Sequence, residues 1–231
     1  MNSSATETFG RSVEDCVKAI YQIRAEGQSV STADLAVHLN ISAPAVSKML
    51  RRLVSLRLIT HTPYQTARLT QTGERMAVEI IRHHRLLERY LQEALGYSWE
   101  NVHEEAERLE HHISEEFEER IDAMLGHPVT CPHGDPIPDK DLVMPGATGI
   151  QLSKISAPVP LKIERVRDEN PELLRYLKEI GMLPGTQIEL IEQEPFGGAY
   201  IVRKGDITAR VPPGAAAQIF VSIREETLVT S

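Results

Sequence analysis

Apolar residues recur with two different periods along this chain, and the change of period restricts it to helices first and strands afterwards. From Val13 to Leu125 they return every three to four positions, the spacing that gives a helix one apolar face. From Leu161 onward they alternate, as in Leu161-Lys162-Ile163-Glu164-Arg165-Val166 and Ile219-Phe220-Val221-Ser222-Ile223, the period of a half-buried strand. Between them, residues 127–160 form a connector containing His127-Pro128, the run CPHGDPIPD, Pro145-Gly146 and Pro158-Val159-Pro160. The expected fold is mainly α with a β domain, an α+β order in which the short strands close into a small, partly open barrel. One helix, residues 171–179, interrupts the strands.

With 231 residues the chain has room for two or three small domains. It contains no run of about 18 apolar residues and opens on no basic-then-apolar leader, so neither a membrane span nor secretion is expected. Cys16 and Cys131 lie far apart, give no disulfide framework and suit a reducing cytoplasm, the expected location. The net charge of −8 hides an asymmetry. Residues 1–75 carry nine Lys/Arg against six Asp/Glu, whereas residues 76–130 carry five against thirteen. The basic part is N-terminal, where a polyanion would find its complement.

That part carries a helix-turn-helix pattern. A first helix is expected from an N-cap at Ser12 to Gly27, with Glu14 and Asp15 favouring its positive end. Residues 31–40 form a short capped helix, and Ser42 caps the next, with Pro44 in its first turn. Leu35, Ala36, Leu39, Ile41, Val46, Leu50 and Leu53 form the seam between the two. Residues 56–60 and 67–70 read as two short strands around a turn containing Pro63, which makes a wing. A winged helix-turn-helix with local positive charge points to double-stranded DNA, and half-site reading favours a symmetric homodimer.

The next stretch combines histidine and glutamate. His84 and Glu88 are one helical turn apart, and His103, Glu107, Glu110 and His111 fall within roughly 100° of one helical face. Imidazoles and carboxylates so phased on two helices suit a divalent metal. A solvated acidic face accounts for much of the glutamate, since eight of residues 104–119 are Glu, but not for histidines in phase with some of them. Cys131 and His133, in a turn rich in proline, read as a fixed loop rather than a metal pair.

IYQI, SAPAVSKMLRRL, RHHRLLERYL, VHEEAERLEHHISEE, CPHGDPIP and GMLPG, in this order, make the whole chain similar to the diphtheria toxin repressor family of metal-dependent transcriptional regulators. The resemblance implies a winged helix-turn-helix domain over residues 1–74, a helical metal-binding and dimerisation domain over 75–145, a linker over 146–160 and a Src-homology-3-like barrel over 161–231. It implies a primary metal site at Asp15, Glu107, Glu110 and His111. An ancillary site would use His84, Glu88 and His103, helped by a barrel carboxylate, Glu172 or Glu169. The chain departs from small manganese regulators in having Lys18 where they place another carboxylate.

Hard carboxylate oxygens favour Mn²⁺ over Fe²⁺, with Co²⁺, Zn²⁺ and Cd²⁺ expected to substitute in vitro. The expected function is Mn²⁺-dependent repression of metal-uptake genes at a palindromic operator, the alternative being Fe²⁺-dependent repression of iron-uptake genes. Ser42, Pro44, Ala45, Ser47 and Lys48 would face the groove, and Arg51, Arg52 and Arg68 the phosphates. A metalloenzyme fits less well. His103-Glu104-Glu105-Ala106 ends at Glu107 rather than at the second His of a zinc peptidase, and a di-iron bundle needs two Glu-x-x-His motifs. No small organic substrate is expected, although a regulator sensing an organic ligand is a third class; its operator binding would ignore chelator.

Overall fold

The helical half begins two residues earlier than the N-cap pattern suggests. In the computed structural model, which describes residues 9–27, 29–60, 66–156, 158–167 and 170–224, helix α1 spans Arg11–Ala25. Its N-cap is Gly10, not Ser12. The extended backbone of Gly10 lets its carbonyl accept the Val13 N–H at 2.7 Å, which draws Ser12 into the first turn. Gly27, at φ +76°, ends the helical path as expected.

The chain divides into two units. The first comprises Met1–His84, Leu109–Glu115 and Pro138–Met144. In it, α2 (Thr32–His38) opens with a capping box: Ser31 Oγ accepts the Asp34 N–H at 3.1 Å, and Asp34 Oδ2 accepts the Ser31 N–H at 3.0 Å. Helix α3 (Ala43–Ser55) is capped by Ser42, whose Oγ accepts the Ala45 N–H. Val17 and Ile20 of α1 share one core with Leu35, Val46, Leu50 and Leu53. Ile41, expected in that seam, is 39% exposed. It sits in the turn between α2 and α3, after Asn40 at φ 51°, and not on either helix. Strands β1 (Ile59–Thr60) and β2 (Arg68–Leu69) pair antiparallel as the wing; its turn with Pro63 lies outside the described residues.

Helix α4 (Gln71–Glu93) starts where Thr70 closes the wing. Thr70 N–H donates to Leu58 O at 2.9 Å, its hydroxyl donates to Arg57 O at 2.8 Å, and Gly73 N–H donates to that hydroxyl oxygen at 3.2 Å. A Cβ on Gly73 would stand 2.1 Å from Leu58 O, so only glycine allows this approach.

The second unit comprises Arg85–Arg108, Glu116–Ile137 and Pro145–Ser231. Its helical part holds the end of α4, most of α5 (Val102–Leu109) and α6 (Glu115–Met124). Leu86, Leu87 and Leu91 are buried, but Leu95, read as part of the same stripe, lies past the end of α4 and is 55% exposed. Phe117 meets Tyr90 edge-on, with ring centroids 6.2 Å apart.

The remainder of this unit is a six-stranded antiparallel sheet in the order β3-β8-β4-β5-β6-β7. Its strands are β3 (Ile150–Gln151), β4 (Val159–Val166), β5 (Gln187–Gln193), β6 (Tyr200–Lys204), β7 (Ile207–Val211) and β8 (Ile219–Ile223). Helix α7 (Pro171–Glu179), capped by Asn170, and the short α8 (Pro213–Ala216) complete it. Register shifts between Ile163 and Arg165 and between Leu190 and Glu192 add twist of the kind that curls a sheet. Residues 146–160, expected as linker, supply β3, which pairs with β8, and a 3-10 turn at Leu152–Lys154.

The loop at residues 131–137 is moulded onto β4. Val166 N–H donates to His133 O at 2.8 Å, Arg165 Nη1 lies 3.3 Å from Asp135 Oδ1, and a Cβ on Gly134 would fall 2.1 Å from Glu164 O. Replacing Gly73 by alanine is expected to cost about 2–3 kcal/mol, because the blocking atom is backbone. Urea denaturation followed by circular dichroism checks this, and a loss under about 0.5 kcal/mol would show that the wing can withdraw.

Candidate metal centre

In the first unit, α1 and the segment after α5 bring together Asp15, Glu110 and His111, whose ligand atoms lie within 4.8 Å of one another. The apolar face of α1 is committed to the core through Val13, Cys16, Val17 and Ile20. Asp15, one position from Cys16, therefore lies at the edge of that face. His111 Nε2 lies 2.7 Å from Asp15 Oδ1 and 3.3 Å from Glu110 Oε1. Both Asp15 Oδ1 and His111 Nε2 are buried, and neither makes a well-formed hydrogen bond among the described residues. One oxygen and one nitrogen converging without that bonding, beside a second carboxylate oxygen from Glu110, suit a divalent cation. The carboxylates and the imidazole are its expected donors.

Around this group, His111 Nδ1 pairs with Glu14 Oε2 at 2.6 Å. His84 Nδ1 pairs with Glu110 Oε2 at 2.5 Å, and His83 Nδ1 donates to Glu110 O at 3.0 Å. Lys18 Nζ donates to both Glu110 oxygens at 2.8 Å. Glu14 was legible only as a charge at a helix start, and Lys18 only as a missing carboxylate. Burial opposes charge on His111, but the close approach of the Asp15 carboxylate, the charge of Glu110 and the bond to Glu14 outweigh it and raise its pKa. Cys16, the neighbour of Asp15, is pushed up to about 12 by burial and by the Asp15 charge, so it stays a thiol inside the core.

In the second unit, Glu88, Cys131 and His133 are all buried, with ligand atoms again within 4.8 Å. Glu88 Oε1 lies 3.4 Å from His133 Nδ1 and 3.5 Å from His103 Nδ1. His133 Nε2 meets Trp99 O at 2.9 Å. A carbonyl only accepts, so Nε2 carries the proton, and in the neutral ring Nδ1 presents its lone pair toward Glu88. The proline-rich loop is fixed, as expected, but it also delivers Cys131 and His133 to a carboxylate. The Cys-x-His spacing was visible in the sequence; that Glu88 faces it was not.

The chain matches the models of the iron-dependent repressor N-terminal DNA-binding domain over residues 8–67, the iron-dependent repressor metal binding and dimerisation domain over 70–139, and the FeoA domain over 150–223. It is 32% identical over 208 residues to the iron-dependent repressor IdeR of Mycobacterium tuberculosis, covering 85% of this chain and 90% of that protein. The chain belongs to the diphtheria toxin repressor family. The diphtheria toxin repressor of Corynebacterium jeikeium is 30% identical over 201 residues, covering 77% of this chain and 84% of that one. A solved manganese-dependent transcriptional repressor in complex with manganese superposes with a TM-score of 0.86 at 34% identity, covering 92% of this chain and all of the other.

Like the rest of this family, the chain is a metal-dependent transcriptional repressor and not an enzyme, with a DNA-binding and a dimerisation domain. The other expected residues are placed as follows. Glu107 is half-buried on α5, three residues before Glu110. Glu172 is exposed in the first turn of α7, where its backbone N–H is held by Asn170 Oδ1 at 2.9 Å. Glu169 lies outside the described residues. On α3, Pro44, Ala45, Lys48, Arg51 and Arg52 are exposed, Ser47 is half-buried, and the exposed Ser42 is engaged as the cap. Arg68 is exposed on β2.

The raised pKa of His111 has a consequence for the metal-free protein. A histidine with a raised folded pKa contributes stability that is complete below its unfolded value of about 6.5 and is lost as pH rises through the raised value. In chelator, the melting temperature is therefore expected to decline from about pH 6.5 upward, and the decline should be shallower in His111→Gln. Equal slopes in the two proteins would remove His111 as the cause.

Proposed function

We propose that this protein represses metal-uptake genes in response to Mn²⁺, which binds at Asp15, Glu110 and His111 with Glu107 as a further ligand. The observation that carries this reading is the donor set. Asp15, Glu110 and His111 offer oxygen and nitrogen, and the nearby sulfur, Cys16, is turned into the core as a thiol. Hard donors suit Mn²⁺, whereas a thiolate would favour later metals. The manganese-dependent repressor structure at 34% identity supports the same choice. Glu88, Cys131, His133 and His103 form a second centre, and its thiol makes it the softer of the two. His84 would serve whichever centre its second ring nitrogen faces, and Glu172 or Glu169 would be the barrel's contribution to the second.

When bound, the cation supplies positive charge that neutralises the clustered carboxylates. Asp15 comes from α1, which packs against the helix-turn-helix, while Glu110 and His111 follow α5. Joining them holds the DNA-reading helices in one position relative to the segment that follows α5. In a cytoplasmic homodimer, two such readers match the half-sites of a palindromic operator, about one helical turn of DNA or a multiple apart. Pro44, Ala45, Ser47 and Lys48, with the capping Ser42, then form the base-facing end of α3; Arg51, Arg52 and Arg68 meet phosphates.

A second reading, Fe²⁺-dependent repression of iron-uptake genes, is favoured by the iron-dependent repressor at 32% identity. Operator binding by fluorescence anisotropy, with Mn²⁺ and Fe²⁺ titrated separately under anaerobic conditions, separates the two. Mn²⁺ is expected to restore binding at concentrations where Fe²⁺ does not, and chelator to abolish it. Equal or better activation by Fe²⁺ selects the second reading, and binding indifferent to chelator removes both. Asp15→Ala is expected to weaken Mn²⁺ binding by about a hundredfold or more, since losing a ligand should cost at least as much as losing an outer partner.

The phosphate assignments give a separate expectation. Arg51→Ala or Arg52→Ala should weaken binding to all sequences alike and reduce the slope of log K against log salt by about 0.9. A change confined to one base position, with the salt slope intact, would move that arginine from backbone to base.

A further inference from the structure

Lys18 is a buried lysine, 6% exposed, whose ammonium spans both oxygens of the fully buried Glu110 at 2.8 Å each. It stands one helical turn from Asp15 on α1 and shares Glu110 with the group formed by Asp15 and His111. A buried carboxylate is strongly disfavoured in its charged form without a cation, so when no metal is bound another positive group is needed to keep Glu110 ionised. Lys18 supplies one permanently. We propose that Lys18 is the resident cation of this centre: it holds Glu110 when no metal is bound and sets the metal concentration at which the centre fills. This rests on reading Asp15, Glu110 and His111 as a metal centre.

Three observations fit together. The Lys18 contact is bidentate and desolvated, so it is a strong charge-assisted pair and not a passing surface contact. It is made to a carboxylate that also faces His111 Nε2 at 3.3 Å, so one buried anion serves both the ammonium and the ligand cluster. Lastly, an ammonium within a few ångströms of that cluster lowers its attraction for a further cation, an effect largest where water is excluded. The centre is thereby preassembled but weakened. Its α1 half is docked without metal, and added metal works against a charge already in place.

The test compares full-length wild type with Lys18→Met, Lys18→Gln and Lys18→Arg, each carrying Glu88→Gln to remove the shared carboxylate of the second cluster. Mn²⁺ binding is read by isothermal titration calorimetry, and the metal-free melting temperature is read beside it. The two neutral variants are expected to bind Mn²⁺ at least tenfold tighter and to melt lower without metal, while Lys18→Arg stays near wild type in affinity. If Lys18→Met folds only once Mn²⁺ is added, that too supports the proposal, and Lys18→Gln carries the affinity comparison. Neutral variants that bind as wild type does, or that fail to fold even with Mn²⁺, overturn it. If no version binds Mn²⁺ while Asp15 and His111 are intact, the metal centre itself fails, and Lys18 with it.

Discussion

The carboxylate of Glu110 has no access to solvent, and the arrangement of the first unit follows from what that demands. Removing one partner of such a buried pair costs about 3–5 kcal/mol, because the charge that remains has neither water nor counterion. Lys18 and His84 both reach it, and His83 holds the backbone carbonyl of the same residue. The partners come from α1 and α4, so a single desolvated charge fastens both helices to the segment after α5. That segment also carries His111, which in turn gathers Glu14 and Asp15.

This explains how a regulator can be folded and responsive at once. The helix-turn-helix has its own core, made by α1, α2, α3 and the wing. What depends on charge is the attachment of α1 to residues 109–115. Carboxylates crowded at that junction repel one another, Lys18 offsets part of their charge, and the junction adjoins α1, which shares a core with the helix-turn-helix. A local neutralisation can therefore bias the position of a rigid reader.

The second unit solves a different problem with similar chemistry. The loop at 131–137 is fixed on β4 by backbone and by the absence of a side chain at Gly134. Its His133 bonds to Trp99 O through one nitrogen and turns the other toward Glu88. Trp99 is itself packed among the side chains of the sheet core. Helical part, loop and sheet thus share a buried cluster containing a thiol.

Much of this was legible in the residues. Periods of 3.6 and 2 separated helices from strands, and Ser31 and Ser42 marked helix starts, because each depends only on neighbours a few positions away. The single helical face expected for His103, Glu107, Glu110 and His111 did not form: α5 ends at Leu109, Glu110 and His111 follow it beside Asp15, and His103 lies by Glu88. The sequence did not show where Gly10 would take over from Ser12, that Ile41 and Leu95 would fall outside helices and stay exposed, or that residues 150–151 would join the sheet. Those outcomes depend on which carbonyl, core or edge strand lies nearby. The sharpest case is chemical. Cys131 and His133 are 43 and 45 residues from Glu88, and Lys18 is 92 from Glu110. The sequence determined which donors and charges the chain possesses. Only the tertiary structure decided which of them share a desolvated carboxylate, since burial and proximity of distant segments have no signature in local spacing.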